Sequence, residues 1–306
     1  VLLGEDIADP YGGAFKVTRG LSTRFPQRVF STPIAEAAIV GTGNGLALAG
    51  MRPIAEVMFA DFATLACDQM INHAAKFRYM YGGRFGCPLL LRLVSGGGRG
   101  YGPTHSQSME NLFFGIAGLR ILALSRRHNA GDLLGRILSQ SQDPTILVEH
   151  KRLYAQRQAV SPPLDLTFQE TRAHNGDFPS LYYQASMPQV TLVSYGGCAD
   201  IVEEAVTDLF IEHEINCDFI VLTQLWPLVV DEVLHSVARS GRLLVVEEGN
   251  ADYGVGAAVL AKVAGSLAFR GRALGAQVTP IPSARHLEQE ALPGPRRVVE
   301  SVLELL

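Results

Sequence analysis

Short apolar runs alternate along this chain with longer segments of helical character, and that rhythm constrains the fold more than any other feature. Continuous apolar runs mark strands buried on both faces. Helices between them carry the chain back across the sheet, so the pattern predicts βαβ units and mostly parallel sheets. A buried helix rich in Ala, Gly and Leu is expected at 35–49, a strand at 54–58, a long helix at 62–79 and a strand at 88–94. The glycine loop Gly96-Gly97-Gly98-Arg99-Gly100-Tyr101-Gly102 follows, then strands at 119–124 and 145–148 around a helix at 130–138. Residues 156–188 hold Ser161-Pro162-Pro163 and Asn175-Gly176-Asp177 without a sustained period, the texture of a linker. A second series follows, with strands at 190–195, 217–222 and 243–247 and helices at 201–213, 231–238 and 256–267. The expectation is an α/β protein of two domains with mostly parallel sheets, 1–155 and 189–306, joined by the linker 156–188.

Composition narrows the function. Hydrophobic residues make up 47% and charged residues 18%, enough apolar material for a large core. The net charge of −4 gives no electrostatic footprint for nucleic acid and no polybasic membrane patch. No apolar run reaches the ~18 residues of a spanning helix. Cys67, Cys87, Cys198 and Cys217 lie far apart, against a disulfide framework or zinc ribbon and in keeping with a reducing compartment. The sequence opens at Val1 inside a strand-like run, so further natural sequence upstream is expected; no targeting segment lies within the chain.

Several residues carry chemistry. Thr32 and Pro33 read as a helix-start signal, which puts Glu36 in the first turn. A carboxylate there is favoured by the helix dipole, yet the residues after it are small and apolar, and a buried carboxylate needs a partner. His105 lies in Thr104-His105-Ser106-Gln107-Ser108, after the glycine loop, and is either a surface group or a functional one. No pair among the other histidines has metal-ligand spacing. The glycine loop lacks dinucleotide-fingerprint spacing, so it is either a flexible loop or a close backbone approach to a ligand. Phe59 and Phe62 read by default as core aromatics, and Glu56 is a second carboxylate inside an apolar strand.

In this order the motifs resemble the β subunit of the thiamine-diphosphate-dependent 2-oxo acid dehydrogenases, of the pyruvate and branched-chain type. The likeness runs through Gly4-Glu5-Asp6, Tyr11-Gly12-Gly13, Thr32-Pro33-Ile34-Ala35-Glu36, Gly50-Met51-Arg52-Pro53-Ile54-Ala55-Glu56 and Phe59-Ala60-Asp61-Phe62. Asp68-Gln69-Met70-Ile71-Asn72, Ala74-Ala75-Lys76 and His105-Ser106-Gln107-Ser108 continue it, and the second half adds Val193-Ser194-Tyr195-Gly196, Pro227 and Val246-Glu247-Glu248-Gly249.

The resemblance implies a transketolase-like pyrimidine-binding domain followed by a flavodoxin-like, transketolase C-terminal-like domain. It also implies decarboxylation of a 2-oxo acid and transfer of the acyl group to a lipoyl acceptor. Glu36 matches the glutamate that bonds the aminopyrimidine ring and helps activate the thiazolium carbon, Phe62 the aromatic stacked on that ring, and Met58 a residue beside it. His105 matches the active-site histidine that serves substrate and acyl transfer. The Gly-Asp-Gly motif that holds Mg²⁺ and the diphosphate in thiamine enzymes is absent from this chain, so an α subunit is expected to supply the metal side. The assembly implied is two α and two β chains, with a lipoyl acyltransferase as a further partner. The compartment implied is the bacterial cytoplasm or the mitochondrial matrix.

The sequence departs from the family in three places. Arg99 and Tyr101 alter the glycine loop, Ser31 stands where aspartate is frequent, and Ser139-Gln140-Ser141-Gln142-Asp143 replaces the usual potassium-loop pattern, although its carbonyls remain candidates for K⁺. A basic residue at the mouth of a site suits phosphorylated or acidic substrates and keeps open a split transketolase-like carboligase that joins an acyl or two-carbon unit to an aldehyde. A non-catalytic assembly subunit is the third reading, opposed by the intact Glu36 and His105.

Overall fold

The computed structural model describes residues 1–159, 167–171 and 178–306. In chain order the first half forms β1 (Leu2–Glu5), α1 (Leu21–Arg24), β2 (Val29–Thr32), α2 (Glu36–Leu48), β3 (Ile54–Val57), α3 (Ala75–Met80), β4 (Leu90–Ser95), β5 (Arg120–Leu124), α4 (Ala130–Gln140) and β6 (Thr145–His150). The second half forms β7 (Gln169–Glu170), β8 (Leu181–Tyr183), β9 (Val190–Tyr195), α5 (Cys198–His213), β10 (Cys217–Leu222) and β11 (Gln224–Trp226). It continues with α6 (Asp231–Ser240), β12 (Arg242–Asn250), α7 (Val255–Ala264), β13 (Arg270–Ala276), α8 (Arg285–Ala291) and α9 (Pro295–Leu303).

Two sheets result, in the orders β11-β5-β6-β4-β3-β1-β2 and β13-β12-β9-β10-β8-β7. Strands β1 to β6 pair in parallel, as do β13, β12, β9 and β10. Every residue of β4, β6, β9 and β10 is buried, which is why these strands are mostly apolar, with their few polar residues such as Arg92, Glu149 and Asp218 paired inside. One apolar cluster runs from Leu3 and Val40 through Leu91 and Phe113 to Val193, Val245 and Val259, so both halves share it. Gly43 lets α2 lie close on the sheet, since a Cβ there would come within 2.8 Å of the Leu89 side chain. No helix among the described residues is long and apolar enough to cross a membrane.

Three local expectations change. Thr32 pairs with Glu5 in the sheet, so it belongs to β2 and α2 starts at Glu36 with no side-chain cap. The long helix expected at 62–79 is broken into a 3₁₀ turn, Ala60–Ala66, a wide π turn, Gln69–Ala74, and α3. The Asn44 amide donates to the Gln69 carbonyl (2.8 Å), an inserted partner of the kind that opens a helical ladder. Two stretches placed in the linker, at 169–170 and 181–183, are strands β7 and β8 of the second sheet. Ser161-Pro162-Pro163 and Asn175-Gly176 lie outside the described residues, as does Asp177.

Strand β11 was not foreseen. It leaves the second half and pairs antiparallel with β5 at the edge of the first sheet. Trp226 fixes it there, stacked on Phe114 at 6.3 Å and donating through Nε1 to the Ile116 carbonyl (3.0 Å).

Candidate active site

Adjacent strands β1 and β3 send their connections in opposite directions, β1 to β2 and β3 to β4. A crevice outside the carboxyl ends of the strands at such a switch point is where open α/β sheets bind ligands. Glu5 ends β1, Glu36 opens α2, and Met58 and Phe59 follow β3, so the sheet delivers all four to this edge. Phe62 comes from the 3₁₀ turn packed against α2.

Glu36 is 6% exposed and makes no hydrogen bond to any described residue. Its neighbour is another carboxylate, Glu5, also 6% exposed, with Oε1 buried and unpartnered. Burial raises the Glu5 carboxyl above its usual range; the Glu36 charge adds to this, and the Ala35 N–H opposes it. Two neighbouring buried carboxylates short of donors make the carboxyl end of this sheet acceptor-rich, an arrangement that calls for a ligand N–H.

The second group is aromatic. His105 lies edge-on to Phe59 (4.7 Å between ring centroids) and to Phe62 (5.2 Å). Phe59 also meets Phe15 at 5.7 Å and Tyr101 at 6.0 Å. The His105 Nδ1 shares a hydrogen bond with Thr104 Oγ1 (2.9 Å). The structure therefore brings together two of the sequence-predicted site residues, Phe62 and His105. Met58 is half-buried at the end of β3, and no hydrogen bond or ring contact links Glu36 directly to His105. Phe59, which reads as plain core in the sequence, is the hub of the aromatic group.

Lys151 was missed altogether. It is fully buried, donates to the Gly96 and His105 carbonyls, the latter at 2.6 Å, and stands 5.3 Å from the Phe59 ring centre. Burial lowers its ammonium to about 8, against the nearby Asp61, Glu248 and Glu288 carboxylates. A lysine directly following the apolar run Ile146-Leu147-Val148 and two further titratable residues, Glu149 and His150, was the available signal.

Glu56 has a structural explanation. Its carboxylate meets the Arg92 guanidinium, which also holds Glu149 through Nε (2.8 Å) and a terminal nitrogen (2.6 Å). The cluster is buried and ties β3, β4 and β6 together across the sheet.

The glycine loop is neither loose nor open to an anion. Its amides are taken by carboxylates of the second half: Gly97 by Glu248, and Gly98 and Gly100 by the two oxygens of Glu288, both at 2.9 Å. His150 bonds Glu248 (2.8 Å) from inside the seam, where Gly96 and Gly197 leave room for its ring. Burial alone would raise the Glu248 carboxyl; His150, with the Gly97 N–H and Arg152, brings it down to about 2.

Residues 1–157 match the family described as "Transketolase, pyrimidine binding domain", and residues 182–298 match "Transketolase, C-terminal domain". The chain is 34% identical to the acetoin:2,6-dichlorophenolindophenol oxidoreductase subunit beta of Cupriavidus necator, over 97% of this chain and 89% of that protein. It is also 34% identical to the 3-methyl-2-oxobutanoate dehydrogenase subunit beta of Mycobacterium tuberculosis, over 100% of this chain and 86% of that one. The chain belongs to the β-subunit family of the 2-oxo acid dehydrogenases. A solved split-gene transketolase, an inactive β4 tetramer, has the same fold, with a TM-score of 0.78 at 18% identity over 100% of this chain and 91% of that one.

Thiamine diphosphate is the cofactor that membership in this family implies, and the pocket fits its aminopyrimidine end. Among the described residues no side chain donates to the buried Glu36 carboxylate, and Phe62 stands on the 3₁₀ turn packed against the same helix. Among the described residues no three His, Cys, Asp or Glu side chains converge to hold a metal ion. On the candidate potassium loop three carbonyls already accept protein hydrogen bonds. The Ser141 carbonyl accepts from the Arg52 guanidinium (2.8 Å), the Gln142 carbonyl from the Cys87 N–H (3.0 Å) and the Asp143 carbonyl from the Ser141 hydroxyl (2.9 Å). A cationic side chain already stands on that loop.

Proposed function

We propose that this chain is the β subunit of an enzyme that decarboxylates a 2-oxo acid and transfers the acyl group to a lipoyl acceptor. The observation that carries the reading is the buried, donor-less Glu36 carboxylate at the carboxyl end of the first sheet, on the helix that packs against the 3₁₀ turn carrying Phe62. Thiamine diphosphate, when bound, supplies the nucleophilic carbon and the electron sink for decarboxylation. Glu36 holds a ring proton of the aminopyrimidine in a dry site, where a carboxylate is most effective at that task. Phe62 and Met58 wall the ring, and Phe59 holds the His105 imidazole on edge toward the substrate and the acyl acceptor. Two α chains bring Mg²⁺ and the diphosphate site, and two β chains bring Glu36 and His105. A lipoyl acyltransferase receives the acyl group. The first domain ends at about residue 155 and the second includes β7 and β8, and the compartment is the bacterial cytoplasm or the mitochondrial matrix.

Arg99 on the glycine loop supports the second reading, a carboligase acting on an aldehyde, because this exposed cation, anchored to the Lys151 carbonyl (3.2 Å), lies on the loop that leads to His105. Co-purification with an α chain encoded beside it, followed by a screen of 2-oxo acids with a lipoyl domain or with aldehydes, separates the two. Turnover that needs both the α chain and the lipoyl domain is expected. Turnover with aldehydes alone would replace the dehydrogenase with the carboligase. Cofactor binding by the lone chain at micromolar strength, about −8 kcal/mol, would overturn the shared site.

A further inference from the structure

We propose that Lys151 and Glu288 are positioning residues for His105, clamping the glycine loop between the two halves of the chain so that the imidazole is set by the domain seam. The proposal rests on the reading of His105 given above.

The loop spanning 96–105 is held through its backbone groups from two opposed directions, and Arg99 adds a bond from its guanidinium to the Lys151 carbonyl (3.2 Å). From the first half, the Lys151 ammonium gathers the Gly96 and His105 carbonyls, which closes the two ends of the loop on one donor. From α8, Glu288 takes the Gly98 and Gly100 amides with its two oxygens. Both side chains are at most 1% exposed, so water does not compete for these bonds, and charge-assisted bonds of this kind are the stronger ones. Gly96, Gly98, Gly100 and Gly102 all have positive φ, between 69° and 87°. That conformation points successive amides and carbonyls to opposite partners and is closed to ordinary side chains. The charges facing Lys151 are Asp61 from the 3₁₀ turn, Glu248 from β12, Glu288 from α8 and Arg99 from the loop itself. Asp61 also accepts from the Gln107 N–H (3.2 Å) and Nε2 (2.9 Å), which pins the chain just beyond His105. A shift of α8 against the first sheet therefore moves the loop that carries the imidazole.

The test is amide hydrogen exchange on the full chain, alone and assembled with its α partner, for wild type, Lys151→Met, Lys151→Arg and Glu288→Gln. Protection of amides 97–105 is expected to fall at least 10-fold in Lys151→Met and less in Glu288→Gln, with β4 and β6 unchanged and Lys151→Arg close to wild type. Between pH 7 and 9 wild-type loop protection should fall beyond the chemical pH effect as Lys151 loses its proton, and Lys151→Arg should not show this fall. That series needs no destabilised variant. Loop protection equal to wild type in Lys151→Met, or an identical pH response in Lys151→Arg, overturns the clamp. The paired readout is the acyl-transfer step of the assembled enzyme, expected to slow about 10-fold in Glu288→Gln with cofactor affinity kept. A loosened loop with unchanged transfer would leave the clamp standing and overturn the role given to His105.

Discussion

Phe59 lies edge-on to His105, ring centroids 4.7 Å apart and planes at 78°. The same ring meets the Lys151 ammonium at 5.3 Å. A positive ring edge against a neighbouring π face, and a cation near a ring, are each worth about 1 kcal/mol. Together with Phe62, edge-on to the same imidazole at 5.2 Å, and the Thr104 hydroxyl, Phe59 fixes its plane. An aromatic that looks like core is therefore part of the site.

For His105→Ala the expected outcome is a slower acceptor step with cofactor binding kept. The imidazole sits among aromatic rings at the end of the glycine loop, away from the Glu36 carboxylate at the start of α2. Single-turnover decarboxylation and acyl transfer, measured separately, should show transfer reduced about 10²-fold, the usual worth of a positioned acid-base group. Normal transfer with lost cofactor affinity would place His105 on the pyrimidine instead.

Arg92→Met should be among the most destabilising single changes. Arg92, Glu56 and Glu149 have side chains 5–7% exposed, and removing the guanidinium leaves two buried carboxylates without their cation. Breaking such a cluster costs about 3–5 kcal/mol, read as a shift of the urea midpoint. Adding Glu56→Gln and Glu149→Gln to the same chain should recover much of the loss, because the cost lies in uncompensated charge. A midpoint unchanged by Arg92→Met would mean that water reaches the cluster.

The sequence carries most of the fold and less of the site, for physical reasons. Parallel strands buried on both faces leave an unmistakable trace, as in Leu89-Leu90-Leu91, and the small residues after Glu36 report helix-on-sheet packing directly. Strand β11 leaves no such trace: three residues long, it is held by Trp226 against Ile116 and Phe114, partners far away in sequence. The helix break near Gln69 depends on an amide at Asn44, again a long-range partner. Glu36 and His105 stand out because their residue types clash with their surroundings. Lys151 and Glu288 do not, since their roles are made by backbone atoms of a glycine loop that can be read only once both halves are folded.

As pH rises from 5.5 to 7.5 the stability contributed by the buried Glu110 and Glu247 carboxyls should be lost, against the opposite contribution of His128, which burial lowers to about 4, and Glu110→Gln should shrink that loss. Burial, with the Glu110 charge adding to it, raises Glu247 to about 7, opposed by the Gly256 and Val255 amides and the Tyr195 hydroxyl. Glu110 is itself raised, by burial, with the Tyr195 hydroxyl on Oε1 (2.6 Å) opposing and Oε2 unpartnered. Both carboxyls hold protons in the folded chain at a pH where the unfolded chain has released them. Their contribution is complete below about 4.5 and is lost as pH rises through the folded values. The depressed Glu248 acts below this window and Lys151 above it. Urea unfolding at the two pH values decides; a wild-type-minus-variant difference that does not change with pH would mean that the pair is not coupled to folding.

Glu36→Gln in the assembled enzyme should lower turnover about 10²-fold or more while cofactor affinity falls far less. Glutamine nearly matches glutamate in size, so no cavity opens at the start of α2. Its charge is gone, so the neighbouring Glu5, raised in part by the Glu36 carboxylate, should move back toward its usual range, a change visible in the carboxyl carbon shift of labelled Glu5. That shift reports local geometry independently of catalysis. The amide also cannot take and hold a ring proton, so activation of the cofactor slows. The decisive measurement is proton–deuterium exchange at the thiazolium carbon in wild type and variant, at saturating cofactor. Exchange as fast in the variant would reduce Glu36 to a charge favoured by the helix dipole, and its burial without a donor would then have no part in the chemistry.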